Sequence, residues 1–305
     1  MRYVNCELCP RRCGVDRTAG KRGWCGGGDT ALVAKAMLHK WEEPALAGNG
    51  GSGAIFFGGC TLGCAYCQNR AISQHPVGTP MDSSQLRQLM ESLIAQGAEN
   101  IDLVTPTHYL PTILPALEEK LPVPVVYNCG GYERVEILRQ LEGKVDIYLP
   151  DLKYADPMLG QALSGAKDYF PVAAAAIREM VRQTGPVQWD GEKVVKGVII
   201  RHLILPGFVD NSLKVLDWIG DTFAPGEVRA PRSLAEITEC IQAFQSQNYN
   251  NCAMVTFRSG RKIRILSNPG MIWTLDGERE EGHWEVMAEN IHHAIHLVKR
   301  VDNHD

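Results

Sequence analysis

Cys60, Cys64 and Cys67 follow one another at the spacing C-x3-C-x2-C, within Gly59-Cys60-Thr61-Leu62-Gly63-Cys64-Ala65-Tyr66-Cys67-Gln68-Asn69. Thiolates are soft ligands, and three on one loop can hold three corners of a four-iron cluster. The fourth iron is then left without a protein ligand, and an open coordination position is where a metal does chemistry. A zinc knuckle is the other reading of these thiols. Structural zinc asks for a fourth ligand close by, and the next candidate, His75, lies eight residues beyond Cys67.

Cys6, Cys9, Cys13 and Cys25 form a second set. Four soft ligands can close a tetrahedral zinc site or hold a second iron–sulfur cluster; unligated thiols are the alternative. Arg11, Arg12, Arg17, Lys21 and Arg22 surround them. Their charge would offset thiolates, or simply form a wet surface. Cys129, Cys240 and Cys252 stand alone and read as small buried hydrophobes.

The chain has 305 residues, 45% of them apolar and 22% charged, as expected of a globular protein with two domains or one large α/β domain. A net charge of −4 carries no basic footprint, so nucleic acid is not an expected partner. No apolar run has the length of a membrane span. Residues 1–10 lack the apolar stretch of a signal peptide. These features predict a cytoplasmic protein, in which ten cysteines serve metal or redox chemistry rather than disulfides.

The thiols must be positioned by regular elements. Residues 1–50 show little regular pattern. From there strands and helices alternate: strands at 54–57, 101–104, 123–127, 145–149 and 198–205, helices at 84–96, 110–121, 132–141, about 157–183 and 212–223. Ser83 or Ser84 is expected to cap the first helix and Gly97 to end it. A hairpin turned at Asp190-Gly191 is expected over 187–195. This alternation implies parallel βαβ units, in an open sheet or a barrel, with chemistry at the strand ends. Beyond a boundary near residue 230 the pattern becomes α+β: a helix at 233–245, a hairpin at 252–267 turned at Ser259-Gly260, and a strand at 271–275.

Over about residues 1–228 the chain resembles the radical S-adenosylmethionine superfamily, and within it the branch like pyruvate formate-lyase-activating enzyme. The resemblance is carried by the three-cysteine loop with Tyr66 before its last cysteine, and by Asp151-Leu152-Lys153. Arg201-His202-Leu203-Ile204-Leu205-Pro206-Gly207 adds to it. His39-Lys40-Trp41-Glu42-Glu43-Pro44, Gly51-Ser52-Gly53, Thr105-Pro106-Thr107-His108 and the Cys6, Cys9, Cys13 pattern are shared with the branch. It implies a partial (β/α) barrel, truncated here at its last strand, with a cysteine-rich extension at 1–50, a core at 51–228 and a C-terminal segment at 229–305. It also implies a [4Fe-4S] cluster on Cys60, Cys64 and Cys67 that cleaves S-adenosylmethionine to a 5′-deoxyadenosyl radical for hydrogen abstraction. Glycyl-radical-enzyme activation is the implied reaction, a flavodoxin or ferredoxin the implied electron donor, and a protein the implied substrate. Many relatives end the second strand with Gly-Gly-Glu, which binds the methionine amino group; this chain has Leu103-Val104-Thr105-Pro106-Thr107 there. Tyr66, Thr105, Thr107, Asp151, Lys153 and Arg201 are the implied cofactor-binding residues. At a strand end each charged one can also be a solvated rim. Trp41 reads as a core residue, and Glu42 or Glu43 as a proton acceptor or a surface carboxylate.

The last segment resembles the C-terminal part of diacylglycerol-kinase-like lipid kinases, at Leu234-Ala235-Glu236, Arg261-Lys262-Ile263-Arg264 and Leu275-Asp276-Gly277-Glu278. Such kinases use a Gly-Gly-Asp-Gly-Thr phosphate loop, which Gly26-Gly27-Gly28-Asp29-Thr30 echoes only superficially. His292 and His296 share a four-residue spacing that would align on a helix, though tail histidines are usually solvated. A non-catalytic metal-binding module, an inactive fusion product and a lipid-kinase remnant are the alternative readings.

Overall fold

The protein, described here by a computed structural model, is defined over residues 2–40, 42–205, 207–224 and 226–229. Strand segments 262–266, 273–275, 278–280, 285–289 and 299–300 are also defined. The chain divides into two compact units, Met1–Leu234 and Ala235–Asp305.

The first unit runs β1 (Ala31–His39), α1 (Pro44–Ala47), β2 (Ser52–Phe57), α2 (Arg70–Ser73), β3 (Thr79–Met81), α3 (Ser83–Ala95) and β4 (Asn100–Val104). It continues α4 (Leu110–Ala116), β5 (Val125–Cys129), α5 (Val135–Leu138), β6 (Ile147–Pro150) and α6 (Pro157–Ser164). Then come α7 (Tyr169–Thr184), β7 (Gln188–Asp190), β8 (Lys193–Val198) and α8 (Val209–Thr222). The strands make one eight-stranded mixed sheet, ordered β3-β1-β2-β4-β5-β6-β8-β7. The five central strands are parallel. Their register sets Ile55, Leu103, Tyr127, Tyr148 and Val198 in a row, all fully buried. β1 pairs antiparallel along β2. After α8 the chain returns beside β8 in a single parallel bridge, Ile199 with Arg229. No helix among the described residues is long and apolar enough to cross a membrane.

Several elements depart from the sequence expectations. Residues 31–39 form a strand although Ala, Leu, Lys and Met favour helix; pairing with β2 overrides local preference. The cap of α3 is Asp82, not Ser83 or Ser84: its carboxylate accepts from Gln85 N at 2.9 Å, and Gln85 Oε1 accepts from Asp82 N at 3.0 Å. α3 buries Leu86, Met90 and Leu93, each worth about 2 kcal/mol. The helix expected over 110–121 ends at Ala116, just after Pro115, which removes one N–H from its interior. β5 starts two residues late, because Pro122 and Pro124 cannot donate to a ladder. The helix expected at 132–141 is reduced to α5 and a 3-10 turn at Arg139–Leu141, leaving Tyr132 and Glu133 in the preceding loop. The long helix expected at 157–183 breaks at Gly165, whose φ of +61 suits glycine. The hairpin arm and the strand expected at 198–205 share one strand: β8 pairs with β7 and with β6, and residues 202–205 are irregular.

In the second unit β9 (Lys262–Leu266), β10 (Trp273–Leu275), β11 (Glu278–Glu280), β12 (Glu285–Glu289) and β13 (Lys299–Arg300) form two small sheets, ordered β13-β12-β9 and β10-β11. β9 pairs with β12, so it is not shown as an arm of the hairpin expected at 252–267. Trp41, Cys240, Cys252, the helix expected at 233–245, His292 and His296 lie outside the described residues.

Candidate metal centre and its charged rim

The loop that follows β2 carries Cys60, Cys64 and Cys67, all half-buried free thiols. Gly59 starts it with φ +89, and a Cβ there would sit 2.3 Å from Cys25 O, so no other residue fits. Each sulfur has a polar neighbour. Leu62 N donates to Cys60 Sγ at 3.4 Å, Ser164 Oγ to Cys64 Sγ at 3.0 Å, and Ser73 Oγ lies 3.4 Å from Cys67 Sγ. Burial pushes the Cys60 thiol up to about 12. Metal binding releases such a proton, because the ligand is the thiolate. Among the described residues no three His, Cys, Asp or Glu groups converge on one point as a lone ion requires. Thiols spread along a loop fit a multi-iron cluster, in which each binds a different iron.

Arg11 and α6 brace this loop. Arg11 Nε donates to Thr61 O at 3.1 Å, Nη1 to Gly165 O at 2.5 Å and Nη2 to Ser164 O at 3.1 Å. Its guanidinium lies 3.9 Å from the Trp24 ring centroid. Ala65 N donates to Leu163 O at 2.8 Å. Tyr66, expected near the cofactor, hydrogen-bonds through its hydroxyl to Tyr154. Tyr154 Oη in turn lies 2.7 Å from Ser164 Oγ.

The carboxyl ends of β6 and β8 bring three expected residues together. Asp151 takes Lys153 Nζ at 2.5 Å and Arg201 Nε at 3.0 Å. Arg201 Nη2 donates to Asn128 Oδ1 at 2.6 Å, and Nη1 lies 3.8 Å from Glu42 Oε1. Burial works to raise the Asp151 carboxyl, but the Lys153 and Arg201 cations outweigh it and hold it below the usual carboxylate range. Burial likewise works to lower Lys153, and Asp151 with the Cys64 sulfur raises it above the usual ammonium value. The rim is thus an ionised set of both signs, within electrostatic reach of the cysteine loop. Asn128 Nδ2 donates to Asp102 Oδ2 at 3.2 Å. Burial first, then Glu42, pushes Asp102 well above the carboxylate range.

The two threonines part company. Thr105, at the end of β4, has φ +60, a left-handed conformation that a β-branched residue pays strain to hold. It is half-exposed. Thr107 is buried, and its hydroxyl donates to Glu133 Oε1 at 2.7 Å.

Sequence reasoning missed Glu133, Asp102, Asn128, Tyr154 and Ser164. Glu133 is 2% exposed and burial raises it to about 8. The Gly130-Gly131 pair two residues before it, at a strand end, is the one local signal. Ser164 and Tyr154 have none.

Of the N-terminal thiols, Cys6, Cys9 and Cys25 are buried and Cys13 is half-buried. Arg17, 1% exposed, donates to Cys6 Sγ at 3.0 Å, to Cys25 Sγ at 3.4 Å and to His108 O at 2.6 Å. Its Nε is buried without a partner.

Residues 46–119 match the family model described as a 4Fe-4S single cluster domain. That match supports a four-iron cluster on this loop. The chain is 31% identical over 230 residues to the uncharacterized protein MJ0674 of Methanocaldococcus jannaschii, over 71% of this chain. It spans 62% of that relative's length. It also aligns with SuiB of Streptococcus suis at 12% identity and a TM-score of 0.40, over 65% of this chain and 46% of that one.

Proposed function

We propose that the first unit is a radical S-adenosylmethionine enzyme whose cluster is held by Cys60, Cys64 and Cys67. The cysteine loop, within the segment that matches the 4Fe-4S single cluster domain, carries this reading. Held by Cys60, Cys64 and Cys67, the cluster would supply the one-electron reduction needed for reductive cleavage of S-adenosylmethionine and hydrogen abstraction.

The chain's own residues do the rest. The methionine end of the cofactor is a zwitterion, and the ionised rim of Asp151, Lys153 and Arg201 offers both signs of charge to it. Lys153 uses one of its donors on Asp151 and keeps others for a carboxylate. Thr105, strained and half-exposed at the end of β4, takes the amino-group contact that Gly-Gly-Glu makes in relatives; Thr107 is committed to Glu133. Tyr66 sets an aromatic ring beside the cluster loop. The resemblance directs the abstraction at a backbone glycine of a glycyl-radical enzyme, with a flavodoxin or ferredoxin as electron donor.

A second iron–sulfur cluster at Cys6, Cys9, Cys13 and Cys25 belongs to this reading; a lone zinc ion does not, because no three of the described thiols converge on one point. A guanidinium stays charged, and buried charge needs a counter-charge. Arg17 donates to the Cys6 and Cys25 sulfurs, which would supply that counter-charge once held as metal-bound thiolates.

The test is release of 5′-deoxyadenosine by the anaerobically reconstituted, reduced protein with S-adenosylmethionine, beside Cys64→Ala. Release by the wild type alone supports the reading. No release from protein whose Cys64-dependent cluster signal shows that site loaded overturns it in favour of a non-catalytic iron–sulfur module.

A further inference from the structure

We propose that Ser164 is a positioning residue that sets the reduction potential of the cluster, through a hydrogen bond to Cys64 Sγ oriented by Tyr154 and Tyr66. This rests on the cluster reading above and concerns residues outside the cysteine motif.

Ser164 and Tyr154 are fully buried, so water does not compete for their hydroxyls. Ser164 Oγ lies 3.0 Å from Cys64 Sγ, against 3.4 Å for the polar neighbours of Cys60 and Cys67. Tyr154 Oη lies 2.7 Å from Ser164 Oγ, and Tyr66 Oη bonds to Tyr154 Oη. Proton counting gives this chain one direction. A metal-bound thiolate has no proton, and a serine hydroxyl has one, so Ser164 gives its proton to the sulfur. Ser164 Oγ then accepts from Tyr154, and Tyr154 accepts from Tyr66. Each donor polarises the next, which strengthens the last bond to sulfur.

The geometry is held from both sides. Ala65 N ties the cysteine loop to Leu163 O, and Arg11 joins Thr61 O on the loop to Ser164 O and Gly165 O at the end of α6. The Ser164 backbone is thereby tied to the cysteine loop, and the Tyr154 hydroxyl at 2.7 Å orients the serine hydroxyl on it.

One-electron reduction adds negative charge to the cluster and its sulfurs. A donor aimed at a ligating sulfur stabilises the reduced form more than the oxidised form, and so raises the potential. Losing the donor lowers it.

The experiment is an anaerobic redox titration followed by electron paramagnetic resonance, with iron and sulfide counted in each sample. Wild type, Ser164→Ala, Ser164→Thr and Tyr154→Phe are compared. The midpoint is expected to move to more negative potential in Ser164→Ala, and less far in the same direction in Tyr154→Phe. Ser164→Thr, which keeps the hydroxyl, is expected to return toward wild type. An unchanged midpoint in fully loaded Ser164→Ala overturns the proposal and leaves the cluster standing. If Ser164→Ala does not load, an unchanged midpoint in Tyr154→Phe overturns it. A wild type that takes up no cluster overturns the underlying reading instead.

Discussion

Arg201 Nε lies 3.0 Å from Asp151 Oδ1, and the same two residues form a parallel bridge between the chain segments that end β6 and follow β8. One pair thus joins two strand ends by backbone and by side chain. Removing the Asp151 charge takes the carboxylate from Lys153 and leaves Arg201 with Asn128 and the more distant Glu42. Two half-buried cations then lose their main counter-charge, which is costlier than removing a matched pair. Asp151→Asn is expected to lower unfolding stability by about 2–3 kcal/mol, with Asp151→Asn/Arg201→Met recovering part of it. Anaerobic urea unfolding measures this. Calorimetry should show weaker S-adenosylmethionine binding in both variants; unchanged affinity would remove the rim from the cofactor site.

Thr105 holds φ +60 at the end of β4. Glycine reaches that conformation freely, so Thr105→Gly is expected to stabilise the fold by roughly 1 kcal/mol. It is also expected to weaken cofactor binding, because the hydroxyl is gone. A more stable protein that binds S-adenosylmethionine as well as wild type would make the strain unrelated to the cofactor.

Glu133 carries a carboxyl that burial raises from 4.5 to about 8. A group with a raised folded value lends stability that is fully present below its unfolded value and lost as pH rises through the folded one. Wild type should therefore lose stability between about pH 4.5 and pH 8, by ~3–5 kcal/mol at most. Glu133→Gln, which cannot ionise, should flatten that part of the curve. Urea midpoints of both proteins at pH 6 and pH 9 make the comparison.

Arg17 predicts the state of the N-terminal thiols. Metal analysis should find iron beyond the first cluster's own, lost in Cys9→Ser with the resonance signal of the first cluster unchanged. An unaltered metal count in Cys9→Ser would leave those thiols unligated. Arg17→Met, with its charge gone and sulfur left as neighbour, should weaken retention of that metal.

The cysteine loop was legible because its information is local: three thiols within eight residues, placed just after an apolar strand. The parallel strands were legible for the same reason, as short apolar runs separated by amphipathic helices. β1 was not, because its residues prefer helix and only the edge of β2 makes them a strand. The Asp151, Lys153 and Arg201 set was legible residue by residue, through resemblance, while its closure into one ion network depended on β6 and β8 lying side by side.

By itself, then, the sequence determined which side chains can carry soft-metal chemistry and which stretches form the central sheet. Ligand type and hydrophobic period are properties of neighbouring residues. Only the tertiary structure decided what surrounds those side chains: Ser164 against Cys64 across 100 positions, Arg11 against Gly165 across 154, Arg17 against His108 across 91. Hydrogen bonds over such separations leave no periodicity in the chain. They exist because the strand order brings distant loops to one end of the sheet.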